Sequence, residues 1–147
     1  MPRFLMTFSY DGTLFHGWQV QQHKRTVQQV LQAAFQAYSG HRITVTAAGR
    51  TDAGVHALAQ CAHFDNQGPA NPDQLRLALR KYLPDDLQIL DIRPVPDAFH
   101  ARYDACLRSY KYMIARQVTP FNRLYYGSFP RKTIRPELIA AAVEFFL

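Results

Sequence analysis

Three observations on the sequence predict an α+β fold of the split βαβ, or ferredoxin-like, kind. Two stretches carry apolar residues at helical spacing, the segments around them alternate with a period of two, and their order is strand, helix, strand, strand, helix, strand. Such a chain lays its helices on one face of an antiparallel sheet. At 147 residues, 48% hydrophobic and 19% charged, it is long enough for one domain with its own core.

The first strand is RFLMTFSY, residues 3–10, where Phe4, Met6, Phe8 and Tyr10 alternate with Leu5, Thr7 and Ser9. It is expected to be buried on both faces. The stretch YDGTLFHGW then breaks it. Thr26 and Gln29 form a capping box, and Val27, Val30, Leu31, Ala34, Phe35 and Tyr38 make the apolar stripe of a helix that ends near Gly40. RITVTAAG reads as the second strand, with Ile43, Val45 and Ala47 against Thr44 and Thr46. ALAQCAHFD reads as the third. The glycine-bounded GRTDAGVHA, residues 49–57, joins the two.

Asn71, Pro72 and Gln74 supply the N-cap, first-turn proline and capping partner of a second helix. Its apolar face is Leu75, Ala78, Leu79, Tyr82 and Leu83, and Pro84 stops it. DLQILDIRPVP is a fourth strand. DACLRSYKYMIA is expected to add a fifth, with Tyr110, Tyr112 and Ile114 on one face and Lys111 and Met113 on the other. The end, RPELIAAAVEFFL, opens like a helix at Pro136 with a stripe of Ile139, Ala142, Val143 and Phe146, yet has no C-cap. The chain thus reads as one α/β domain over 1–147. A ferredoxin-like core over about 1–115 precedes a basic loop and a helix start, 116–147, that are expected to continue in an absent C-terminal half.

No apolar run approaches the roughly 20 residues of a membrane helix, and the opening MPRFLMTFSYDG lacks signal-peptide features, so a soluble, cytoplasmic protein is expected. Cys61 and Cys106 are far apart and read as small buried apolar residues. The six histidines have no HExxH, HxE or CxxC beside them, so no zinc site is expected.

The net charge of +6 is local. Residues 101–135 carry +7 and all others together −1. The same stretch holds Tyr103, Tyr110, Tyr112, Phe121, Tyr125, Tyr126 and Phe129, and cations interleaved with aromatics suit phosphate contact and base stacking. A solvated basic face over core aromatics explains the composition equally well.

An aspartate in GRTDAGVHA suits an Asx-turn, its carboxylate bonding nearby backbone N–H groups. It also suits a nucleophile. A nucleophilic carboxylate must stay ionised, and burial in a substrate pocket opposes that, so a cation nearby is wanted; Arg50 and Arg102 are the candidates.

Together YDGTLFHGWQVQ, TVQQVLQAA, GRTDAGVHALAQ, LPDDL, FHARYDA and RSYKYMI resemble, in order, the tRNA pseudouridine synthase A family. The segment LRKYLPDDL departs from the family's usual asparagine-containing version, at a helix end. The resemblance implies the N-terminal half of a pseudouridine synthase fold. It implies isomerisation of uridine to pseudouridine in the anticodon stem-loop of tRNA, at positions 38–40, by a homodimer without metal or organic cofactor. It also implies that Asp52 is the nucleophile, that Tyr110 lies against the target base, and that Arg50 enters the stem in place of the flipped nucleotide. The arginine that pairs with the family's nucleophile comes from a later part of the chain than this sequence reaches.

A stacked uridine costs a few kcal/mol to extrude, and an aromatic side chain returns roughly 1–3 kcal/mol per base. Arg102, Arg108 and Lys111 suit phosphate contacts or plain surface charge, and His56 and His100 suit loop orientation or packing. Two other readings are a non-catalytic RNA-binding module, or an inactive fragment of such an enzyme, and a metal-dependent nuclease built on converging Asp11, Asp52 and Asp65.

Overall fold

Strand β1 (Arg3–Tyr10) is an inner strand of the sheet in the structure, a computed structural model that describes residues 1–127 and residue 135. Phe4, Met6, Phe8 and Tyr10 are buried on the face that receives the helices. On the opposite face only Leu5 is buried, while Thr7 and Ser9 are half-buried, so the expected burial of β1 on both faces holds for one side alone. The period of two survives because one layer of apolar side chains already satisfies the strand.

Helix α1 (Val27–Ser39) starts where Thr26 Oγ1 accepts the Gln29 N–H and ends at Gly40, whose N–H reaches the Gln36 carbonyl. Val27, Leu31, Ala34 and Phe35 are buried, but Tyr38 is 45% exposed and lies at the margin of the expected stripe. Strand β2 is only Thr46–Ala47. Ile43 and Val45 are buried as the alternation requires, yet the Val45 N–H bonds Gln32 Oε1 and its carbonyl accepts from Gln28 Nε2. Two α1 side chains thus take the groups that a ladder would use, which shortens the strand.

Strands β3 (Ala57–Asp65) and β4 (Leu87–Val95) flank β1, both antiparallel to it, and the sheet order is β2-β3-β1-β4. That order is the split βαβ arrangement, with β3 inserted between the two strands that α1 connects. Helix α2 (Pro72–Leu79) begins with Asn71 Oδ1 accepting the Gln74 N–H, buries Leu75 and Leu79, and tightens into a 3-10 turn over Arg80–Tyr82 before Pro84. The core lies between sheet and helices. Phe64 stacks on Phe4 at 5.6 Å and meets Phe35 at 4.6 Å, aromatic pairs worth about 0.5–1.5 kcal/mol each beyond burial.

The chain divides into two units, residues 1–107 and 108–147. All the elements above belong to the first. The expected fifth strand does not form: residues 105–113 are in no strand, and in the second unit Ile114 makes an isolated parallel bridge with Gly127. Alternation tells which side chains would share a face, but a strand exists only when a neighbour takes its backbone groups, and among the described residues that pairing is limited to Gly127. The expected helix from Pro136 lies outside the described residues. The cysteine expectation is also corrected, since Cys61 is half-buried and Cys106 exposed.

Candidate functional site

Two loops of the first unit build the site, residues 11–18 after β1 and residues 48–56 between β2 and β3. They interlock through their backbones. The Trp18 N–H donates to the Thr51 carbonyl at 3.0 Å, and the Gly54 N–H to the Phe15 carbonyl at 3.1 Å. The Gly12 N–H donates to His56 Nδ1 at 3.1 Å, and Gln60 Nε2 holds the Gly49 carbonyl at 3.2 Å. Gly17 has φ +81°, and a Cβ there would meet the Thr51 carbonyl oxygen at 2.5 Å. A glycine is therefore required on both conformational and steric grounds.

Asp52 sits at the tip. Its carbonyl accepts the Val55 N–H at 3.2 Å, and Gly54 at φ +79° supplies the left-handed third residue of the turn. The backbone closes this turn, not the carboxylate. Asp52 is exposed, and among the described residues its side chain makes no hydrogen bond and no ion pair. The Asx-turn reading is thereby replaced. Arg50 is exposed on the same loop, two residues away, without an ion pair to Asp52. Neither arginine singled out in the sequence pairs with the acid.

Behind the loops, the Tyr10 hydroxyl lies 2.8 Å from Thr51 Oγ1, and burial pushes the Tyr10 phenol up from its ordinary range. Arg25 forms a bidentate pair with Asp86 at 2.7 and 2.8 Å and covers the Phe15 ring at 4.0 Å. The Asp86 carbonyl accepts the Asp11 N–H at 3.0 Å, and His56 Nδ1 is 3.1 Å from Asp11 Oδ1. His56 thus orients a loop, as expected. Tyr10, Thr51, Arg25 and Asp86 were not marked by the sequence alone, because their partners are distant along the chain. The only signal for Tyr10, Thr51 and Asp86 was membership of the YDG, GRTDAG and LPDD segments, and Arg25 lay in none of them.

Arg102 stands in a different segment, pinned to the open face of the sheet. Arg3 pairs with both Asp65 carboxylate oxygens at 2.7 and 2.9 Å and donates to the Phe99 carbonyl at 2.8 Å, while the Ala101 N–H donates to buried His63 Nδ1 at 3.1 Å. His100 packs between His63 and Tyr103, at 4.6 and 4.2 Å. Burial holds the His63 imidazole below its usual range, with Arg3 and His100 adding repulsion, and the Arg3 hydrogen bond holds Asp65 below the usual carboxylate range. Arg102 itself is exposed, its guanidinium 6.0 Å from the Tyr103 ring centre.

Tyr110, Arg108 and Lys111 belong to the second unit, where all three are exposed, Tyr110 by 80%. Among the described residues no three His, Cys, Asp or Glu side chains gather closely enough to hold a metal ion. Asp11 accepts the Thr13 N–H and Asp65 pairs with Arg3, and among the described residues the convergence a metal-dependent nuclease needs is not seen. Among the same residues no helix is long and apolar enough to cross a membrane.

Fold and loops together define a ferredoxin-like α+β domain that presents an acid at the tip of a doubly anchored loop. Comparison with known proteins gives it a family. The profile described as "tRNA pseudouridine synthase" matches residues 6–104, a range that includes Arg50, Asp52 and Arg102, and the chain belongs to that family. It is similar to proteins named tRNA pseudouridine synthase A. That of Parvibaculum lavamentivorans is 45% identical over 121 residues, covering 82% of this chain and 49% of the relative. That of a Geobacillus species is 46% identical over 131 residues, covering 87% and 53%. That of Ruminiclostridium cellulolyticum is 38% identical over 147 residues, covering 98% and 58%. The chain spans about half the length of these curated relatives.

Proposed function

We propose that this chain is the N-terminal part of an enzyme that isomerises uridine to pseudouridine in the anticodon stem-loop of tRNA, with Asp52 as its nucleophile. One observation carries the reading: within the family-matched region, Asp52 is an exposed carboxylate with no hydrogen-bond or ion-pair partner among the described residues, on a loop anchored at both flanks. The reaction breaks the N1–C1′ bond, joins C5 to C1′, releases the C5 proton and leaves a proton on N1. An acid at an exposed loop tip is open to a base extruded from a stem. Asp52 serves by attacking the uracil ring, by attacking C1′, or by removing a proton toward a glycal.

Around it, Arg50 is assigned to the space the flipped nucleotide leaves, and Tyr110 to stacking against the base. Arg102, Arg108 and Lys111 are assigned to phosphates, supported by the +7 charge of residues 101–135. Homodimerisation and the extent of a further C-terminal half belong to the same proposal, which size-exclusion chromatography with light scattering tests.

The chemical test is tritium release from tRNA labelled at uridine C5. Asp52→Asn is expected to lose release by at least a thousandfold while binding tRNA with affinity close to that of the unaltered protein. An Asp52→Asn protein that still releases tritium refutes the role of Asp52. One that binds no differently from an unaltered protein itself inert toward tRNA supports an RNA-binding module instead.

A further inference from the structure

We propose that Tyr10 is a positioning residue for Asp52, acting through the Thr51 hydroxyl. The inference rests on the reading of Asp52 as a reagent and asks what aims it. Since the Asp52 side chain has no hydrogen-bond or ion-pair partner among the described residues, the backbone at 51 and 52 sets the direction of the carboxylate. Thr51 is held from three sides. The Trp18 N–H takes its carbonyl at 3.0 Å, Gly17 packs against the same carbonyl, and the Tyr10 hydroxyl meets Oγ1 at 2.8 Å.

Tyr10 can fix Thr51 because it is itself fixed. It is 4% exposed at the end of β1, stacked on Phe8 at 6.0 Å and edge-on to Phe15 at 6.0 Å. Burial favours the neutral phenol, so the proton stays available for the hydrogen bond to Thr51. The loop is thus tied to the sheet at two points, by Tyr10 of β1 at Thr51 and by Gln60 of β3 at Gly49. A misplacement of about 1 Å in a reacting group costs on the order of 100-fold in rate. Loss of one such tie is expected to be a fraction of that.

The test removes single oxygen atoms. In turnover of tRNA by the full-length protein, Tyr10→Phe is expected to lower kcat about tenfold and leave tRNA affinity within twofold. Thr51→Val is expected to do the same, the double variant to be no worse than either single one, and Thr51→Ser to restore the rate. Amide exchange reads the anchoring without turnover: the Trp18 and Val55 N–H groups should exchange about tenfold faster in Tyr10→Phe, with the β1 and β3 ladders unchanged. Unaltered exchange overturns the proposal by itself, as do single losses that multiply in the double variant. Full turnover in Tyr10→Phe beside an inert Asp52→Asn overturns this inference alone, whereas an active Asp52→Asn overturns it together with the function it rests on.

Discussion

Gly12 and Val55 approach so closely that a Cβ on Gly12 would lie 2.0 Å from the Val55 carbonyl oxygen. The contact is backbone against backbone, so no rotamer change can relieve it. Gly12→Ala is therefore expected to cost about 2–3 kcal/mol, the upper part of the range for overpacking. Urea unfolding followed by circular dichroism would measure this, and a variant within about 0.5 kcal/mol of the parent would mean that the two loops move apart freely.

Arg25 and Asp86 link the segment before α1 to the turn before β4, and the pair is partly open to solvent. Screening limits its value, and Arg25→Lys should cost about 1 kcal/mol by losing the bidentate fork and the cover on Phe15. A double-mutant cycle with Asp86→Asn isolates the coupling. Additive losses would show that the pair contributes nothing beyond its separate parts.

The segment carrying Arg102 should loosen in acid. His63 binds its proton more weakly in the folded protein than in the unfolded chain, because burial disfavours the charged ring and Arg3 and His100 repel it, against a smaller attraction from Asp65. The unfolded state then holds more protons, so this contribution is present above about pH 6.5 and is lost as pH falls through the folded-state value. Protonation at Nδ1 would also remove the acceptor of the Ala101 N–H. Asp65, depressed by Arg3, adds a second loss further down, below about pH 4. Urea midpoints are expected to fall between pH 7 and 5, with a flatter profile in His63→Phe. An equal slope in both proteins would contradict the assignment.

Phe64 is buried between Phe4 on β1 and Phe35 on α1, joining sheet to helix. Phe64→Ala should destabilise by about 3–5 kcal/mol, since it removes the ring and leaves a cavity. Thermal unfolding monitored in the near ultraviolet would register the loss.

Much of the fold was legible before any coordinates. The Thr26 and Asn71 caps, both helices and the strands β1, β3 and β4 follow from local spacing, and their order specifies the sheet. Where the reading failed, a distant group had intervened. Gln28 and Gln32 took the backbone of Val45, and the Tyr110 segment alternates like a strand while, among the described residues, only Gly127 pairs with it, at Ile114.

Of the candidate site, the sequence by itself determined that an acid lies between two glycines, that Arg50 is beside it, and that positive charge gathers after residue 100. Only the tertiary structure decided that the turn is closed by the Asp52 carbonyl, which leaves the carboxylate exposed, and that Tyr10, Trp18 and Gly17 hold Thr51 in place. Residue order carries capping and periodicity because these act over three or four positions. The anchoring of Asp52 acts between segments more than 30 residues apart, and nothing local encodes which backbone carbonyl a folded loop will bring within 3 Å of another segment.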